Sequence, residues 1–184
     1  VKIGVISDTH GSLPAWRAAF NRYFSDAEVI IHCGDLFYHA PRNPLPEGYA
    51  PLALAEALNE CPVPLLIARG NCDAAVDEGL LKWPLAAPYA FTRWDGRTIL
   101  VWHEGEVTPG AAETLSRYRS DLLLAGHTHR ARVWREGACL CLNPGSPALS
   151  KLPEGRATVG IVDDRGARVL DLDTGSILDS AEWT

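Results

Sequence analysis

Five apolar runs, each the length of a β-strand and each breaking abruptly into polar residues, constrain this chain more than any other feature. They read KIGVIS (2–7), EVIIHC (28–33), PLLIARG (64–70), TILVWH (98–103) and DLLLAG (121–126). Their Val, Ile and Leu residues continue without polar alternation, the pattern of strands buried on both faces in a largely parallel sheet. Helical stretches lie between them. In LPAWRAAFNRYF, Trp16, Phe20 and Phe24 recur at i, i+4 and i+8 on one face. PLALAEALNE opens on Pro51, well placed in a first turn, and GAAETLSRYR completes the set. The last third changes character: RVWREGACLCLN and ATVGIVDDRGARVLDLD read as short strands joined by EG and DDRG turns. An α/β chain ending in hairpins is expected, as a single domain over residues 1–184 that buries about two-thirds of its unfolded surface.

Composition narrows the function classes. A net charge of −6 with scattered basic residues argues against a phosphate-backbone surface, so duplex nucleic acid is not the expected partner. No apolar run approaches the ~20 residues that span a bilayer, and no membrane is expected. The chain opens on Val1 and holds no Met. Its strand-like start lacks the long apolar core of a signal peptide, which points to the cytoplasm. The five cysteines form no paired CxxC knuckles and read as buried reduced thiols, with Cys139 and Cys141 on one face of a strand. Trp94 and Trp134 are candidate exposed aromatics for an interface in a homo-oligomer. The segment Tyr38–Pro51 is too Pro-rich for helix or central strand, and so long a loop is functional or disordered. His39 and Arg42 within it are either functional or solvated bystanders.

The chemistry collects where the apolar runs end. The first run delivers Asp8 and His10, the second Asp35, the third Asn71, the fourth His103, and the fifth His127 and His129. In open α/β sheets ligands bind beyond the carboxyl ends of strands, where such loops converge. Two carboxylates, four imidazoles and a carboxamide would then meet at one edge. Oxygen and nitrogen donors without thiolate suit Mn, Fe, Co, Ni or Zn. Seven donors are too many for one ion but serve two if a carboxylate bridges. Cys72, in the stretch ARGNCDAAVD, is open to reading as a nucleophile, a metal ligand, a redox residue or a stand-in for another group.

Taken in order, DTHG, GD, GNCD, a strand-end His and GHTH resemble the calcineurin-like metallophosphoesterases. APRNPLPEGYAP, RGNCD and NPGS resemble more narrowly the small bacterial phosphodiesterases of the YfcE type. The resemblance implies a two-sheet αββα sandwich carrying a dinuclear centre, most often with manganese. It implies that Asp8, His10 and His129 hold one ion, that Asn71, His103 and His127 hold the other, and that Asp35 bridges them. The implied reaction is hydrolysis of small phosphodiesters by in-line attack of a bridging hydroxide. A phosphomonoesterase and a non-catalytic scaffold of the same fold are the alternatives. His39 and Arg42 become candidates for phosphate contact, since Arg is shaped for bidentate recognition, with pairing of Arg42 to Glu47 the alternative. Cys72 stands where many relatives carry a His that assists the leaving group. A neutral thiol is a poor replacement there, so good leaving groups should be preferred. Asp73 is expected to cap the next short helix. One departure concerns HEG at 103–105, where the family usually follows its His with Gly. Glu104 could crowd the second ion, add an oxygen ligand or point to solvent.

Overall fold

The computed structural model describes residues 1–104 and 109–184. Its first strands are β1 (Lys2–Ile6), β2 (Val29–His32), β3 (Leu65–Ala68), β4 (Leu85–Ala86), β5 (Ala90–Trp94) and β6 (Arg97–Trp102). β7 (Leu122–Ala125), β8 (Arg132–Glu136), β9 (Cys139–Asn143), β10 (Thr158–Asp163), β11 (Gly166–Asp171) and β12 (Ile177–Glu182) follow. Among the described residues these form a seven-stranded sheet, β12-β11-β10-β1-β2-β3-β4, and a five-stranded sheet, β5-β6-β7-β9-β8. The five apolar runs are the parallel heart of both sheets: β1, β2 and β3 pair in parallel, as do β6 and β7, which continue in parallel into β9.

The pleat sorts each run onto two cores. Ile6, Ile30 and Ile67 face helices α1 (Leu13–Ala19) and α2 (Pro51–Asn59), packing with Trp16, Phe24, Leu54 and Leu58. Their neighbours Ile3, Val5 and Ile31 face the other sheet and meet Val101, Leu122, Leu124 and Leu142. On the outer side of the second sheet, Leu100, Leu123, Cys139 and Cys141 pack with Leu115 of α3 (Pro109–Tyr118). Four layers, helix–sheet–sheet–helix, follow from that alternation. Each fully buried Leu or Ile contributes about 1.5–3 kcal/mol of transfer free energy.

Several local expectations need correction. The first helix is not α throughout: after Ala19 it widens into a π-helical segment, Phe20–Phe24, closed by Ser25 N donating to Phe20 O at 3.0 Å. Phe24 then presses on β1 at Gly4, where a Cβ would stand 2.5 Å from its ring, and Phe20 stays half-buried. The half-exposed strands β5 and β12 carry no continuous apolar run and were not expected. Trp94 and Trp134 are half-buried rather than exposed. Trp94 donates to Glu28 at 3.1 Å, and Trp134 lies under the Arg132 guanidinium. Among the described residues no helix is long and apolar enough to cross a membrane.

Candidate metal centre

Backbone geometry at the strand ends aims the side chains. Asp8, His10, Asp35, His127 and His129 all take left-handed conformations, with φ of 56°, 45°, 58°, 71° and 56°. Each such non-glycine residue costs on the order of 1–2 kcal/mol and persists only where its surroundings impose it. Interlocked main chain imposes it here: Asp8 N donates to Gly34 O at 2.9 Å, His10 N to Asp35 O at 3.1 Å and Gly11 N to Leu36 O. Buried His32 ties the same loops together, accepting from Gly34 N at 3.1 Å and reaching Thr9 Oγ1 at 3.0 Å.

Asp73 does not cap the helix that follows; Asp77 Oδ2 takes Ala74 N instead. Asp73 is buried and gathers the amides of Gly70, Asp35 and Leu36 at 2.7, 2.9 and 2.8 Å, fixing the third loop to the second. The NPGS segment does the equivalent from β9. Ser146 Oγ donates to Asp8 O and accepts from the amides of Ala148 and Leu149, while Asn143 Nδ2 donates to Gly126 O. Sequence reasoning read Asp73 as a local cap and NPGS only as part of a resemblance, and gave neither the role of fixing these loops.

The donor atoms converge. Asp8, His10 and His129 form one group and Asp35, His103 and His127 another, each with one ligand atom per residue within 4.8 Å of the others. Asp35 Oδ2 lies 3.8 Å from His10 Nε2 and 3.3 Å from His103 Nε2, so its carboxylate stands between the two groups. Three imidazoles are oriented through Nδ1 on backbone carbonyls: His10 on Tyr38 O, His129 on Leu149 O and His103 on Cys33 O, at 2.6, 2.6 and 2.7 Å. In a neutral ring that donation leaves a lone pair on the inward Nε2, the arrangement that presents imidazole to a metal. His10 Nε2 and His129 Nε2 face each other at 3.1 Å. Among the described residues, Asp8 Oδ1 and His103 Nε2, 3.9 Å apart, are buried without a hydrogen-bond partner. Lone pairs set against lone pairs and orphaned buried acceptors call for cations between them, and an all-nitrogen-and-oxygen donor set fits borderline divalent ions.

The remaining candidates separate. Asn71 Oδ1 contacts His127 Nδ1 at 2.7 Å, placing the carboxamide with the second group. Cys72 lies beside His10 and Asp35, and its amide donates to Asp35 Oδ1 at 2.8 Å. Glu104 is exposed and lines a cleft of about 830 Å³ together with Arg69, Asn71, Trp102, His103 and His127. Gly105, the last residue of HEG, lies outside the described residues. His39 sits edge-on to Tyr38 and Tyr49, next to the carbonyl that orients His10. Arg42 is exposed, and neither His39 nor Arg42 lines the cleft.

Electrostatics follow from burial around two carboxylates. Burial pushes Asp8 up, but His129, whose Nε2 lies 3.2 Å from Oδ1, and the charge of His103 hold it below the usual carboxylate range. Asp35, also opposed by burial, is held well below that range by His103 and the Cys72 amide. Burial alone would lower His103, yet Asp35 and Asp8 raise it to about 9. Burial, then the Asp35 carboxylate, pushes the Cys72 thiol up to about 12. With the carboxylates uncompensated, that thiol stays protonated at neutral pH.

Comparison with known proteins gives relatives that span the whole chain. The chain is 35% identical over 179 residues to phosphodiesterase YfcE of Escherichia coli strain K12, covering 97% of this chain and 96% of that one. The solved structure of E. coli YfcE, a phosphoesterase, superposes over all of both chains with a TM-score of 0.86 at 32% identity. Vacuolar protein sorting 29 from Cryptosporidium parvum shares the fold, with a TM-score of 0.68 at 20% identity over 100% of this chain and 97% of that one. Residues 1–165 match the profile of the calcineurin-like phosphoesterase superfamily domain, and the chain belongs to that superfamily.

Proposed function

We propose that this chain hydrolyses small phosphodiesters at two divalent metal ions, with manganese the leading occupant and Fe, Co, Ni or Zn compatible with the same donors. One observation carries the reading: two buried atoms without a hydrogen-bond partner among the described residues, Asp8 Oδ1 and His103 Nε2, flank a carboxylate set between two groups of candidate ligands. Asp8, His10 and His129 would hold one ion, Asn71, His103 and His127 the other, with Asp35 shared. When bound, a pair of ions supplies a hydroxide nucleophile at neutral pH and neutralises charge on the phosphoryl oxygens of an in-line displacement. The protein's part is to hold the donors, exclude competing protons and orient the ester. A neutral thiol at Cys72 is a poor stand-in for a protonated imidazole, so the chain favours esters whose departing group needs no proton. His39 and Arg42 are proposed to meet the phosphate from the loop side. In this reading the protein works in the cytoplasm as one domain, and its charge of −6 favours small esters over duplex nucleic acid.

Metal analysis combined with a bis-p-nitrophenyl phosphate assay tests the reading. Manganese-reconstituted protein should turn over the diester faster than p-nitrophenyl phosphate, and a diester chiral at phosphorus should be opened with inversion. Protein that stays metal-free and inactive after reconstitution would instead be a scaffold of this fold.

A further inference from the structure

The cleft beside the second ligand group has a wall that the chemistry described so far does not use. Trp102 is the last residue of β6, and the pleat turns it to the α3 side with Leu100, whereas the next residue, His103, turns back into the cluster. One peptide link therefore joins a candidate ligand to a large aromatic ring. Trp102 is half-buried, and Tyr89 braces it: the two rings stack at 5.2 Å with an interplanar angle of 22°. Tyr89 is fixed in turn by Tyr118, hydroxyl to hydroxyl at 2.9 Å. Trp102 also lines the cleft, together with Ala87, Pro88, Asn71, His103 and His127. Arg69, Glu104 and Thr128 give the cleft a polar rim.

We infer that the cleft is a subsite for a planar aromatic ester arm, stacked on Trp102 while the phosphoryl group meets the ligand cluster. The inference deepens the proposed function and rests on it. About 830 Å³ is within the range of small-molecule sites and accommodates a ring beyond the phosphoryl group. A braced indole loses little freedom on binding, and ring-on-ring contact is worth roughly tenfold in affinity. Trp102 is thereby a specificity residue, and not one that touches the reacting atoms.

Calorimetric titration of the manganese-loaded protein with two non-hydrolysable probes, phenylphosphonate and methylphosphonate, tests this without requiring turnover. Phenylphosphonate should bind about tenfold more tightly. W102A should abolish that preference, and W102F, which keeps a ring, should retain most of it. Equal binding of the two probes by the unmodified protein, or a preference unchanged in W102A, would overturn the subsite and leave the phosphoesterase reading standing. Failure of both probes to bind would overturn the phosphoesterase reading and the subsite with it.

Discussion

At Asp73, two carboxylate oxygens are shared among three backbone amides, two of them on the loop that carries Asp35. Asp73→Asn keeps the shape but turns an NH₂ toward an N–H donor. We expect a loss of about 1–3 kcal/mol in urea denaturation, together with weaker manganese binding by calorimetry, although Asp73 is not a proposed ligand. Cys72 carries a different prediction. Cys72→His should speed esters with poor leaving groups more than p-nitrophenyl esters; equal effects across a leaving-group series would remove the thiol from the chemistry. The seven residues proposed as donors were legible as candidates because their types are unusual at the ends of apolar runs. Asp73 was misread because an acid just before a short helix fits a local cap. Two of its three partners lie 37 and 38 residues away, a distance no local pattern reports.

At the level of strands and loops, the apolar runs set the parallel strands and the loops inherit their convergence. Close approach is what the loops require. A Cβ on Gly70 would stand 2.1 Å from Asp35 Oδ1 and 2.3 Å from Asp35 N, whereas one on Gly79 would meet nothing within 4 Å. Gly70→Ala should therefore cost about 1–3 kcal/mol and at least roughly tenfold in metal affinity, with Gly79→Ala nearly silent in both. Continuous apolar runs announced strands but not their faces. Whether Trp102 would look toward the other sheet or toward α3 depends on the stacking of two sheets, which a single run does not encode. For the same reason the cleft was invisible in the sequence, as were the edge strands β5 and β12, whose alternate residues face solvent.

For the whole molecule, two buried histidines give the ion-free protein a stability that falls on both sides of pH 6.5. Burial holds His32 neutral, down to about 3 from an ordinary 6.5. As pH falls below 6.5 the unfolded chain takes up a proton that the folded chain refuses, so stability drops by up to about 1.4 kcal/mol per pH unit. His103 works in the opposite sense, raised from 6.5 to about 9 by Asp35 and Asp8. Its contribution is complete below 6.5 and is lost as pH rises through 9. Urea midpoints measured in chelator from pH 4 to 10 should peak between about 6 and 7. Saturating manganese should flatten the alkaline limb, because a ligating His103 is already neutral. A midpoint that rises steadily with pH in chelator would contradict these assignments.

The left-handed backbone at five of the seven donors has an evolutionary consequence. Glycine adopts that conformation freely, so replacing one of these side chains relieves strain while deleting a ligand. His127, exposed and at φ 71°, is the simplest case. His127→Gly should unfold in chelator at the same temperature as the parent or a higher one, yet bind manganese more weakly. Selection for metal chemistry and selection for a stable fold thus oppose each other at the same positions. A lineage released from catalysis would find a stabilising substitution at His127, a proposed ligand, keeping the sandwich and discarding the reaction.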